Sequence, residues 1–402
     1  MKKKKVEVGA LEFGMYVAEL DRPWTETPFL FQGFVLMTDD ELQTLRKYCK
    51  FVHVDDDRSE VVAASSRLPA ARSGLPGTRR VTHVERVAVQ QELPGAQVAY
   101  ESSQVVINEV AEVMKSGGEI DAAEVKTTVN RMTESIIRNP DALVLLSAMK
   151  ERGGYFLSRA MNRSIYMIMF ARFLGMEQAD IERAGLVGLL QDIAMVQLPE
   201  AVVSKKGPLT PEEVKLVRSH VITGAEIIAA THGLQEDIAK FAAMHHERHD
   251  GSGYPSGVRG SDMGTIAASA GLVDTYGAMT SERPYADAMT PSSALGMLHK
   301  WRGRAFHPDL VEEFIRCIGV FPVGSVVELN SGEIGIVISQ NLEKRLQPRV
   351  MVVRDAAGRE LRPQKLLDLS RGLKLGADDS YKIRRTLEYG RSGVSLKDVL
   401  MV

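Results

Sequence analysis

At 402 residues the chain is long for a single hydrophobic core, so two or three domains are expected. Its apolar fraction of 44% and charged fraction of 25% are those of a globular protein. A formal net charge of −2 gives no overall pull toward DNA or an anionic membrane. No stretch approaches the roughly 18 apolar residues that a membrane-spanning helix needs, so no membrane insertion is expected.

Two cysteines, Cys49 and Cys317, stand far apart and outside any metal-type spacing, which suits a reducing compartment. The basic start Met1–Lys5 runs into Val6–Leu11, where Glu7 and Gly9 interrupt the apolar residues. No secretory leader is expected there, and a cytoplasmic location is.

Residues 1–55 read as a small α+β domain. Gly14–Leu20 and Phe51–Val54 have strand character, and Asp39–Lys47 is a short helix between them. Trp24, Phe29, Phe31 and Phe34 are expected to supply a small core rather than a ligand platform. Residues 56–95, rich in Ser, Ala, Arg, Gly and Pro, lack periodicity and read as a partly disordered linker.

Helical patterning begins near Gln97, breaks at Gly117-Gly118 and resumes across Ala122–Ile137; Asn139-Pro140-Asp141 then punctuates the chain. From there to about Gly319 nearly everything is helical, so residues 96–320 form one helical domain. Thr210-Pro211-Glu212-Glu213 is a helix start with the makings of a capping box. After Pro322 the period changes to two. Val326–Leu329, the Asn330-Ser331-Gly332 turn, Ile334–Ile338 and Val350–Val353 make residues 321–402 a β-rich appendix.

Nine histidines occur, five of them within Val214–Asp250. His220 shares a helical stripe with Leu216 and Ile227, and His245 continues the line Leu234, Ile238, Phe241. Asp192 follows Leu186, Leu189 and Leu190, and Asp274 lies on a face of small residues, Ala267, Ala270, Gly271 and Gly277. Two histidines and two aspartates are thus expected at core-facing positions of four helices. Buried ionisable groups need partners, and a shared cation serves all of them at once. Imidazole and carboxylate suit Fe, Mn, Zn or Ni, ions that favour phosphodiester hydrolysis.

The run His245-His246-Glu247-Arg248-His249-Asp250-Gly251-Ser252-Gly253-Tyr254-Pro255 resembles the signature of the HD-GYP family of cyclic-di-GMP phosphodiesterases. His220–Gly224, Val273-Asp274-Thr275-Tyr276 and Thr280–Tyr285 match the family's flanking elements in order, so the resemblance covers roughly 150–320. Gly14-Met15-Tyr16-Val17 and Leu20–Trp24 resemble the small domain of unknown function that often precedes HD-GYP domains. The resemblance implies a mainly α fold, an HD-type all-helical bundle. It implies metal ligands at Asp192, His220, His245, His246 and Asp274. Substrate contacts would come from Gly253, Tyr254, Pro255 and Arg283.

Several positions depart from the family pattern. The His-Asp-x-Gly-Lys motif reads Gln191-Asp192-Ile193-Ala194-Met195, and Arg159 stands where an upstream histidine is expected. Gly277 and Ala286 replace an aspartate and a basic residue. One metal position loses two histidines while the other keeps Asp192, His220, His245 and His246. The expectation is one divalent ion, or none, with Arg159 then paired to Asp192 or Asp274. The expected function is a weak or non-catalytic regulator in cyclic-di-GMP signalling, with protein partners, a second copy of the chain among the candidates. The alternatives are a reduced-metal phosphodiesterase and a purely structural docking module.

Overall fold

The structure is a computed structural model that describes residues 3–12, 15–22, 27, 29, 34–36, 39–55, 83–149, 155–281, 288–341, 344–375, 380–387 and 394. The chain divides into two compact units, Met1–Gly74 and Leu75–Val402.

In the first unit, strands β1 (Lys3–Glu7), β2 (Tyr16–Leu20), β3 (Phe34–Val35) and β4 (Phe51–Asp55) form an antiparallel sheet in the order β1-β4-β2-β3. Helix α1 (Asp39–Tyr48) lies between β3 and β4 in sequence. Val52 and Val54 alternate inward from β4 and join Val17, Leu36, Leu42 and Leu45 in a core to which Phe29 adds its ring. Trp24 and Phe31, also expected in this core, lie outside the described residues, as does the side chain of Phe34. β1 escapes a hydrophobic reading because it is an exposed, lysine-rich edge, a composition that discourages further strand pairing.

The second unit is mainly α. It opens with α2 (Val89–Lys115), α3 (Ala122–Arg138), α4 (Pro140–Met149), α5 (Tyr155–Phe173) and α6 (Gln178–Leu190). It continues with α7 (Glu200–Val203), α8 (Pro211–Arg218), α9 (His220–Ala230), α10 (Glu236–Ala242), α11 (Gly260–Thr280), α12 (Pro291–Trp301) and α13 (Pro308–Ile318). Residues 89–95, expected as linker, are helical: α2 begins ahead of Pro94. Gln91 Oε1 accepts the Ala88 N–H, and buried Glu92 accepts from Arg138 and Ser135 of α3, which fixes the first turn in spite of the proline. Residues 56–82 lie outside the described set. The Thr210 capping box forms as the sequence implies, with Glu213 Oε2 accepting the Thr210 N–H at 2.7 Å and Thr210 Oγ1 accepting the Glu213 N–H at 3.3 Å.

Strands β5 (Val326–Leu329), β6 (Ile334–Ser339), β7 (Arg349–Arg354), β8 (Glu360–Asp368) and β9 (Ile383–Leu387) form an antiparallel sheet in the order β8-β7-β6-β5-β9. The two edges, β8 and β9, are largely exposed and carry little hydrophobic alternation, which is why only the central strands stand out in the sequence. This sheet docks on the helices through a polar joint. Asp141 Oδ2 accepts from Ser339 Oγ at 2.8 Å and from the Gln340 N–H at 2.9 Å.

Two glycines bring α5 and α6 together. A Cβ on Gly185 would meet Ile168 at 2.7 Å, and one on Gly188 would meet the Arg163 carbonyl oxygen at 2.8 Å. That close approach sets the depth at which α5 delivers its polar side chains.

Candidate metal centre

Five elements converge on one buried polar site. α5 contributes Arg159 and Arg163, one turn apart. Asp192 follows the last residues of α6, at the entry to the short 3-10 turn Ile193–Gln197. His220 is the first residue of α9, His245 and His246 lie in turns past α10, and Asp274 projects from α11. The expected placement on four helical stripes therefore needs correction, since three of the four groups sit at helix ends. The expected stripe partner Leu216 is exposed, and Ser219 separates α8 from α9. Helix ends are where the chain turns, so side chains from different elements can meet at a point there.

Asp192, His220, His245 and His246 each offer a ligand atom, and these atoms all lie within 4.8 Å of one another. His220 Nε2 and His245 Nε2 lie 3.1 and 3.2 Å from Asp192 Oδ1 and 3.3 Å from each other. Each ring is fixed from behind: His220 Nδ1 meets the Val217 carbonyl at 2.5 Å and His245 Nδ1 the Ala242 carbonyl at 2.6 Å. A carbonyl can only accept, so each Nδ1 carries its hydrogen and each neutral ring presents an Nε2 lone pair. Three acceptors facing one another at such distances require a proton or a cation between them. This is the arrangement of histidine ligands oriented by outer carbonyls, and the four residues fit one divalent ion. Burial opposes charge on His220, but the hydrogen bond and charge of Asp192 outweigh it and raise its pKa. Burial and then the charge of His245 push His246 down to about 2, leaving it a neutral donor.

Beside this cluster the two aspartates are paired with arginines. Arg163, 3% exposed, donates from Nη1 to Asp192 Oδ2 at 2.5 Å and to Asp274 Oδ1 at 3.2 Å. Arg159 Nη2 adds a bond to Asp274 Oδ1 at 2.9 Å. Burial works against both charges. Even so, Arg163 leads the groups that hold Asp192 well below the usual carboxylate range, and Arg159 with Arg163 lowers Asp274. Asp274, expected as a ligand, stands outside the four-residue cluster and within an arginine pair. Arg159 pairs with Asp274, one of its two expected partners. Sequence reasoning missed Arg163, although its spacing of four from Arg159 places both on one helix face.

Gln191 is 1% exposed, and among the described residues neither its Oε1 nor its Nε2 has a partner. Met195 is half-buried on the 3-10 turn. Arg283 and Ala286 lie outside the described residues.

The Gly253-Tyr254-Pro255 loop folds back over the cluster. Buried Glu247 accepts the Ser256 and Val258 N–H groups at 2.7 and 3.1 Å. A Cβ on Gly253 would fall 2.4 Å from the Arg248 nitrogen, so only glycine fits. Tyr254 stacks on His246, with ring centroids 4.7 Å apart and planes at 21°. Burial pushes its phenol up to about 12, so it stays neutral. Pro255 is exposed at the loop surface.

A helical bundle carrying one His/Asp cluster is the architecture of an HD domain, and the HD domain profile matches residues 144–310. A domain of unknown function (DUF3391) matches residues 3–125, and a KOW domain associated with HD domain matches residues 326–376. A protein named cyclic di-GMP phosphodiesterase PA4108, from Pseudomonas aeruginosa, is 31% identical over 376 residues, 92% of this chain and 89% of the relative. The cyclic di-GMP phosphodiesterase response regulator RpfG of Xanthomonas campestris is 32% identical over 149 residues, 37% of this chain and 39% of its own. The solved structure of Bd1817, a HDG"Y"P protein from Bdellovibrio bacteriovorus, covers 78% of this chain and 98% of its own at 15% identity. Its TM-score of 0.47 is too low to bear on the site. The chain belongs to the HD-GYP family. Among the described residues no helix is long and apolar enough to cross a membrane.

Proposed function

We propose that this chain is a cyclic-di-GMP-binding regulator that holds at most one divalent transition metal (Fe, Mn, Zn or Ni) and hydrolyses the dinucleotide weakly or not at all. The observation that carries this reading is the Arg163 guanidinium bridging Asp192 and Asp274. A divalent ion at the cluster would polarise a phosphoryl oxygen and acidify a bound water. A guanidinium supplies charge without open coordination positions, so it cannot hold and acidify a water in the same way. Met195 brings no cation or acid to the site. The ligand assignment is Asp192, His220, His245 and His246 for the ion, with Asp274 serving Arg159 and Arg163. The Gly253-Tyr254-Pro255 loop, and Arg283 by resemblance, would bind nucleotide. The names of the relatives support cyclic-di-GMP as the ligand, and a regulator that binds without turnover acts through protein partners.

A second reading, a phosphodiesterase working with a single ion, is favoured by the convergence of four neutral or anionic ligand atoms. Elemental analysis of the purified protein, paired with a cyclic-di-GMP hydrolysis assay in Mn(II) or Fe(II), separates the two. Loss of one electrostatic group at such a site costs about 10²–10³ in rate. Regulator behaviour means turnover at least that far below an intact family member. Turnover within about tenfold of it selects the enzyme.

A further inference from the structure

We infer that Arg218 is an affinity-determining contact for a ligand phosphodiester at the mouth of this site, an inference that rests on the cyclic-dinucleotide reading. Arg218 ends α8, two residues ahead of His220, and is exposed. Its guanidinium carbon stands 4.6 Å from the centroid of the Tyr254 ring. Tyr254 stacks in turn on His246, whose ligand atom belongs to the cluster. The surface cation is thus joined to the metal centre by two successive ring contacts.

Among the described residues the Tyr254 face is the only partner of this side chain. A cation held over a ring keeps its N–H donors available, and a guanidinium can direct two of them to two phosphodiester oxygens. The other arginines of the site are spent: Arg163 on Asp192 and Asp274, Arg159 on Asp274, and Arg248 on the His245 and Glu247 carbonyls. A lysine here would keep the charge but lose both the planar fork and much of the stacking. The competing role is structural, a cation completing the C-terminal dipole of α8, and it predicts an effect on folding rather than on binding.

The test is calorimetric titration of cyclic-di-GMP into the full-length, Mn(II)-treated protein, at low and at high salt, for the parent, Arg218→Ala and Arg218→Lys. Manganese content and melting temperature are measured alongside. Removing a charged hydrogen-bond donor should weaken binding about tenfold to a hundredfold and flatten its salt dependence. Arg218→Lys should recover part of the affinity, and metal content and melting temperature should not change. Parent binding with Arg218→Ala within about threefold of it overturns the inference and leaves the cyclic-dinucleotide reading standing. Weakened binding together with a fall in metal content or melting temperature assigns Arg218 to the scaffold and also overturns it. A parent that binds no cyclic-di-GMP overturns both.

Discussion

The Arg163 guanidinium meets the Asp192 carboxylate at 2.5 Å inside the helical bundle, with neither group open to solvent. The same carboxylate offers its other oxygen to two histidines, so Asp192 divides the site into a half lined by the histidine cluster and a half closed by arginine. Removing one partner of such a pair leaves a buried charge uncompensated, typically at a cost of about 3–5 kcal/mol. The arginine is therefore structural as well as electrostatic, and changes near it move stability and metal affinity together.

Returning the missing family residues alone should not rebuild a second ion. In the triple variant Arg159→His, Gln191→His and Met195→Lys, Arg163 still bridges Asp192 and Asp274. At a few ångströms and an effective dielectric near ~20 its charge repels a divalent ion by several kcal/mol. Elemental analysis should find at most one ion per chain in the triple variant, and more only when Arg163→Ala is added. Two ions in the triple variant would contradict the role given to Arg163.

The cluster that does converge should depend on each imidazole. His245 has no exposure, and its Nε2 lies 3.3 Å from that of His220 and 3.2 Å from Asp192 Oδ1. His245→Ala should therefore reduce bound Mn(II) to background, because ligands of one centre act as a unit. Retained metal, measured after dialysis, would place the ion elsewhere.

Gly188 and Gly277 make a matched pair for stability. A methyl on Gly188 would press on the Arg163 carbonyl oxygen at 2.8 Å and the Ser164 Cα at 2.9 Å, whereas nothing lies within 4 Å of one on Gly277. Gly188→Ala should cost about 1–3 kcal/mol through overpacking. Gly277→Ala, inside α11, should be neutral or stabilise by up to about 1 kcal/mol. Chemical denaturation of the two variants decides the matter, and equal effects would mean that α5 and α6 can separate without penalty.

Much of this molecule is legible in its sequence because its signals are local. The capping box at Thr210, the break at Gly117-Gly118 and the apolar runs of β5 to β7 all follow from near neighbours in the chain. His220, His245 and Asp192 are legible as core-facing titratable groups, although on helical stripes rather than at helix ends, and His246 only through the family resemblance. Arg163 is not. It lies between the polar residues Asn162 and Ser164 of α5, and its role depends on how closely Gly188 lets α6 approach, a distance no periodicity encodes. The exposed edges β1, β8 and β9 escaped for a related reason. Their pairing is backbone hydrogen bonding with little side-chain burial to mark it.

Asp141 should give the fold a pH dependence of its own. It is buried between the helices and the C-terminal sheet, and burial pushes its carboxyl from an ordinary 3.8 up to about 6. The bonds from Ser339 and the Gln340 N–H pull the other way, Glu85 raises it further, and Arg172 lowers it. Because the folded pKa is the higher one, the folded protein holds a proton that the unfolded chain has lost between about 3.8 and about 6. Stability contributed by this group is present below that window and declines as pH rises through it, by about 3 kcal/mol in total. Asp141→Asn keeps an acceptor for Ser339 Oγ and the Gln340 N–H but carries no charge. Relative to the parent, the variant should gain stability progressively from about pH 4 to about pH 6 and hold that gain at neutral pH. Urea denaturation of both proteins across this range isolates the group, since every other titration is shared. A stability difference that does not vary with pH would show that Asp141 stays ionised throughout, held by its two donors and Arg172 against the cost of burial.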